Sequence, residues 1–147
     1  MTQDNLLVGT WSLVSFQLQL TDGSVKHPWG RNLVGQVMYT PDGFMAGTFM
    51  KQDRAHFPAA DVMLATPEES VAALKSYVGY AGSYSVRGDS VVHHVTVSWF
   101  PNWSGTDIER FFEVENGNLV LRTPPIAIGG MRAKSVGVWR KIANRKI

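Results

Sequence analysis

Tyr80-Ala81-Gly82-Ser83-Tyr84-Ser85-Val86-Arg87, then Gly88-Asp89, then Ser90-Val91-Val92-His93-His94-Val95-Thr96-Val97 is the stretch on which the fold turns. Side chains alternate across a strand, so a register can be tested by asking whether facing strands agree on one apolar side. A two-residue turn at Gly88-Asp89 opposes Val86 to Val91, Tyr84 to His93, Gly82 to Val95 and Tyr80 to Val97. The other face collects Ser83, Ser85, His94, Thr96 and Ser98. One face is apolar and the other hydroxyl-rich, which is the pattern of an antiparallel hairpin with one buried side.

Segments of the same kind occupy residues 10–20, 33–40, 44–50, 80–87, 90–100, 106–115, 118–123 and 133–141, divided by Gly, Asp, Asn or Pro. Parallel neighbours would need crossover helices, and the connections are too short for them. The expected class is all-β, an eight-stranded antiparallel up-and-down β-barrel with one short α-helix. Such a barrel encloses room for about one small ligand. The helix is expected from Thr66-Pro67-Glu68-Glu69, an N-cap hydroxyl with proline first and glutamate third. Val71, Leu74 and Val78 give it a narrow apolar stripe and Gly79 can close it, so it should lie on the barrel or plug one end. Residues 51–65 before it are expected to form a mobile lid.

Other turns extend the face assignment. Asn116-Gly117 opposes Val114 to Leu119, Phe112 to Leu121 and Arg110 to Thr123, leaving Asp107, Glu109, Glu113 and Arg122 in solvent. Around Pro41-Asp42-Gly43, Val37 and Tyr39 are expected on one face with Phe44, Ala46 and Thr48. The first strand is ambiguous. With Trp11 inside, Phe16, Leu18 and Leu20 fall outside, unless a bulge after Leu13 flips the parity or those residues pack under the helix.

At 147 residues, with 44% hydrophobic and 18% charged, the chain reads as one globular domain, 1–147. No apolar run approaches the roughly 18 residues of a membrane helix. The start, Met1-Thr2-Gln3-Asp4-Asn5, has neither a basic region nor an apolar core, so a cytoplasmic location is expected. The absence of cysteine removes disulfides, thiolate metal sites and a thiol nucleophile. Net charge is only +2, and the basic residues after Glu115 read better as a solvated strand and tail than as a nucleic-acid patch.

Gly9-Thr10-Trp11 opening the first strand and Trp139-Arg140 in the last resemble the lipocalin arrangement, and the whole chain is similar to the lipocalin-like domain family. The likeness runs through Gly9 to Phe16, Val34 to Gly43, Tyr80 to Tyr84, Val92 to Val95 and Pro101 to Thr106. The resemblance implies an up-and-down barrel around a pocket for a small hydrophobic molecule. It also implies a first-strand tryptophan that plugs one end under a basic residue of the last strand. Some relatives act as cofactor-free cyclases or isomerases, pericyclic catalysts among them.

The candidate ligand-binding residues are Tyr39, Phe44, Tyr84, His93, Val95, Trp99, Trp103, Arg110 and Phe112. If the protein is an enzyme, His93, Tyr84 and Arg110 are its candidate catalytic groups: a neutral imidazole exchanges protons near pH 7, and a guanidinium or phenol polarises a carbonyl. His93 can equally be a hydrogen-bonded core residue, and Arg110 can face either way. Trp99 and Trp103, with Trp29, can stack on a flat ligand at the mouth or simply close the core. Adjacent His93 and His94 point to opposite faces, so a metal would need His27 and His56 to bend in; neither metal nor cofactor is expected. No nucleophile relay, phosphate-cradling loop or inward carboxylate pair is evident. Two readings result: a module binding a small hydrophobic, aromatic or polyketide-like molecule, and a cofactor-independent isomerase or cyclase using the same pocket. A single-strand nucleic-acid barrel is disfavoured by strand number and charge, no membrane partner is expected, and the oligomeric state, a homodimer included, stays open.

Overall fold

The computed structural model describes residues 6–147; the reading of residues 1–5 lies outside them. The chain forms β1 (Gly9–Leu20), β2 (Val25–Lys26), β3 (Leu33–Tyr39), β4 (Phe44–Lys51), helix α1 (Pro67–Lys75), β5 (Tyr77–Arg87), β6 (Ser90–Ser98), β7 (Asp107–Glu115), β8 (Asn118–Arg122), β9 (Ile126–Ile128) and β10 (Met131–Lys141). The sheet runs β2-β1-β3-β4-β5-β6-β7-β8-β10-β9, and a further pairing of β1 with β10 closes it. Eight long strands therefore form an antiparallel barrel, as expected. The two-residue β2 and three-residue β9 only extend its rim, against β1 and β10.

Closure requires β1 to bend, and a bulge supplies the bend. Leu13 pairs with Trp139 and Ser15 with Val138, so Val14 is squeezed out and stands 49% exposed. Beyond it the parity is reversed, and Leu18 is completely buried while Phe16 lines the interior. The bulge thus resolves the first-strand ambiguity, and both halves of β1 point their large apolar residues inward.

One end of the barrel is sealed by Trp11, which is 1% exposed. Its indole Nε1 donates to the Leu7 carbonyl at 2.9 Å, which satisfies the polar edge of a buried ring. The ammonium of Lys141 lies 5.3 Å from the ring centroid and donates to the Val8 carbonyl, so the basic cover comes from Lys141 while Arg140 is exposed.

The helix begins as expected: Thr66 and Glu69 form a reciprocal capping box and Pro67 opens the first turn. It ends earlier than the apolar stripe suggests. Ser76 caps it, and Val78 and Gly79 already belong to β5. No helix residue is buried, and Val71 and Leu74 are about half exposed, so α1 covers the wall without plugging an end. Residues 51–65 hold a short 3-10 turn, Val62–Leu64, whose side chains are largely exposed.

Two register details redirect individual side chains. Thr40 and Phe44 bracket a three-residue turn, with the Thr40 N–H donating to the Phe44 carbonyl at 2.8 Å and Gly43 at φ 98°. An odd turn pairs Tyr39 with Met45 and Val37 with Gly47, so Met45 faces inward and Phe44 outward, 55% exposed. In the decisive hairpin the pairs Val86–Val91, Tyr84–His93 and Gly82–Val95 form as read. A register shift past Gly82 then sets Tyr80 opposite Ser98 and leaves Val97 60% exposed.

Candidate functional site

Inside the barrel lies a cavity of about 340 Å³, within the range that holds a small organic molecule. Its deep wall is aliphatic and aromatic, with Val37, Met45, Val78 and Leu121 from four strands. Two ring clusters stand higher. Phe16, Trp29 and Phe49 pack with centroids 5.2–5.4 Å apart, mostly edge to face. Across from them Tyr80, Trp99, Phe100 and Trp103 form a second group, in which Trp103 meets Tyr80 at 86° and Trp99 at 85°. Trp29 is anchored from outside by an Nε1 hydrogen bond to the Lys75 carbonyl at the end of α1, 3.0 Å long. Ile126, Ala127 and Ile128 complete the rim.

The polar part of the lining is small, and His93, Tyr80 and Arg110 belong to it. His93, 1% exposed, is held at both ring nitrogens: Nε2 is 2.7 Å from the Tyr39 hydroxyl and Nδ1 is 2.7 Å from the Tyr80 hydroxyl. Arg110 points inward on β7, lines the cavity, and reaches Tyr80 with its side chain. Its Nη1 donates to the Glu109 carbonyl at 3.1 Å, and it takes part in neither of the two ion pairs found among the described residues. A guanidinium in an apolar chamber without a carboxylate is an unspent binding group.

Burial governs the proton affinities here. Desolvation, helped by Arg110 and His94, drops the His93 pKa to about 3, so the imidazole is neutral at ordinary pH. Desolvation also raises Tyr39 well above the usual phenol range and raises Tyr80, whose shift the Arg110 charge opposes. All three rings are therefore uncharged hydrogen-bonding groups, with Arg110 as the one cation among them.

Of the residues singled out by sequence, His93, Trp99, Trp103 and Arg110 line the cavity. Tyr39 touches it only through His93, buried beneath. Val95 and Phe112 are buried core residues that do not line it. Tyr84 is turned toward the hairpin end, where its hydroxyl donates to the Thr40 carbonyl at 2.8 Å and its ring packs edge-on against Tyr39. Phe44 is outside the barrel, for the turn-parity reason given above. Tyr80, Phe16, Phe49 and the 126–128 rim were not singled out, although Tyr80 was on the inward face. Its spacing of four residues from Tyr84 was the available signal.

A second polar chain was not anticipated. On the outer wall Ser85 Oγ is 2.8 Å from His94 Nε2, and His94 Nδ1 is 2.8 Å from Asp107 Oδ1. The atoms are ordered as in a nucleophile relay. These residues lie outside the cavity lining, and the Asp107 side chain is 64% exposed. Among the described residues no cluster of His, Cys, Asp or Glu is arranged to hold a metal, and no helix is long and apolar enough to cross a membrane.

The lipocalin-like domain description matches residues 8–142, nearly the whole chain. The chain belongs to the lipocalin-like domain family. A 4'-hydroxy-3'-methoxypropiophenone carrier protein of Aspergillus oryzae is 29% identical over 107 residues, covering 67% of this chain and 96% of the relative. Among solved structures, a lipocalin-like protein of Bacteroides uniformis is 14% identical with a TM-score of 0.49, over 93% of this chain and 99% of that one. A protein of Bacteroides eggerthii is 15% identical with a TM-score of 0.46, over 92% and 99%. In this lipocalin-like chain, then, the family's barrel encloses a cavity rich in aromatic side chains, with His93, Tyr80 and Arg110 among its polar groups.

Proposed function

We propose that this lipocalin-like protein binds a small, largely apolar aromatic molecule in its lumen and carries it chemically unchanged. The observation that bears the reading is the barrel's cavity of about 340 Å³, lined by aromatic side chains of Phe16, Trp29, Phe49, Tyr80, Trp99 and Trp103. Flat rings of a ligand can meet Trp99, Trp103 and Phe16 edge to face, as these rings already meet their neighbours. The relative named as a carrier of an aryl ketone supports the same class of cargo.

The isomerase or cyclase reading has the pocket chiefly hold a reactive conformer, with Arg110 or Tyr84 polarising a carbonyl and His93 moving a proton. A group with a pKa of about 3 is a poor base at neutral pH, and both ring nitrogens are already engaged by tyrosines. Carriage fits that chemistry better than turnover. Native mass spectrometry of the protein purified from its own source tests the reading. A co-purifying aromatic of fitting size that is released unaltered is expected; release of a converted product would replace carriage with catalysis.

A further inference from the structure

The polar end of the cavity has a direction, set by counting protons. A neutral imidazole offers one N–H and one bare nitrogen, so His93 donates to one tyrosine and accepts from the other. Tyr39 is 2% exposed, and its hydroxyl hydrogen bond runs to His93 Nε2. A buried O–H that received there instead of donating would be left with its own proton stranded, which folded proteins avoid more strictly than an unfilled lone pair. The Tyr39 proton therefore goes to Nε2, and the ring carries its own proton on Nδ1, aimed at the Tyr80 oxygen 2.7 Å away. That oxygen also faces the Arg110 guanidinium, which can only donate. With its oxygen receiving from His93, Tyr80 has its O–H left to give, and the cavity it lines is where an acceptor can stand.

We infer that the cargo is anchored by a conjugated carbonyl oxygen, taken by the Tyr80 hydroxyl and the Arg110 guanidinium. The inference rests on the lumen being the binding site, and it adds the chemistry of the ligand's inner end. Hydrogen bonds in such a chain polarise one another, so Tyr80 donates more strongly than an isolated phenol. Arg110 is the cation of a lining that is mostly apolar, and its N–H groups can share a carbonyl oxygen with the Tyr80 hydroxyl.

Acetylnaphthalene and isopropenylnaphthalene, a ketone and a hydrocarbon of the same shape, separate the two ideas when titrated against tryptophan fluorescence. The ketone is expected to bind at least about ten-fold more tightly, since a hydrogen bond in a dry, charge-assisted site is worth about that factor. Tyr80→Phe should lower the ratio several-fold, Arg110 still meeting the ketone oxygen, and Tyr80→Phe combined with Arg110→Met should bring it close to one. Nitrogen NMR of the unmodified protein should show His93 protonated at Nδ1, the tautomer that leaves the Tyr80 O–H to give to the ketone. Equal affinities in the unmodified protein, or an Nε2-protonated ring, overturn the inference and leave the lumen as a binding site. Failure of both probes to bind overturns the binding site and the inference with it.

Discussion

Tyr39 Oη stands 2.7 Å from His93 Nε2, a contact that joins β3 to β6 across the interior and helps keep the imidazole buried. Because the folded pKa of His93 is about 3 and the unfolded value is near 6.5, the unfolded chain takes up a proton between those limits and the native one does not. The associated stability is intact above pH 6.5 and is lost as pH falls toward 3, at up to about 1.4 kcal/mol per pH unit. Urea unfolding between pH 6.5 and about pH 5, above most carboxylate titration, should show this slope, and His93→Gln should flatten it. An unchanged slope in the variant would mean that His93 is protonated without unfolding.

Trp103 contacts Tyr80, Trp99 and Phe100 and lines the mouth. Trp103→Ala should weaken binding of isopropenylnaphthalene about ten-fold, because the ring offers apolar area and an edge for stacking. Binding that survives undiminished would make the mouth aromatics core closure and nothing more.

Phe44 supplies the reverse control. It stands outside the barrel at 55% exposure, so Phe44→Ser should alter stability by no more than about 0.5 kcal/mol and leave ligand affinity unchanged. A measurable loss of affinity would argue that residues 40–44 turn differently from the odd-numbered loop described here.

Gly82 lies against the carbonyl of His94, where a methyl group would collide with backbone that cannot move without opening the β5–β6 ladder. Gly82→Ala should destabilise the protein by about 2 kcal/mol, read as a lower urea midpoint. Retention of full stability would place the register shift elsewhere in the hairpin.

What was readable from the sequence followed the tightness of each turn. Gly88-Asp89 and Asn116-Gly117 are two-residue turns with positive-φ residues, and the pairs they imply, Tyr84–His93 and Phe112–Leu121 among them, are present. Inward placement of Arg110 followed from the second of these. The Pro41-Asp42-Gly43 turn holds one residue more than an even count, and that single residue moved Phe44 from lining to surface. Bulges carry no compositional mark of their own: the one at Val14 was an open alternative, and the shift that exposes Val97 was not foreseen. The Tyr39–His93–Tyr80 chain was beyond reach for a different reason. Tyr39 and His93 are 54 residues apart on strands that are not neighbours, and only the curvature of the closed wall brings them together.

The pairing of β1 with β10 also constrains the order of events in the cell. A nascent chain can zip its hairpins as they emerge, yet the ribbon stays unlatched until residues 131–141 have left the ribosome. Until then Leu18 and Trp11 have no lid, and the half-finished sheet offers a sticky margin to other chains. Latching is thus a late step of long sequence span, the kind that slows maturation and makes the growing polypeptide a natural client for chaperones.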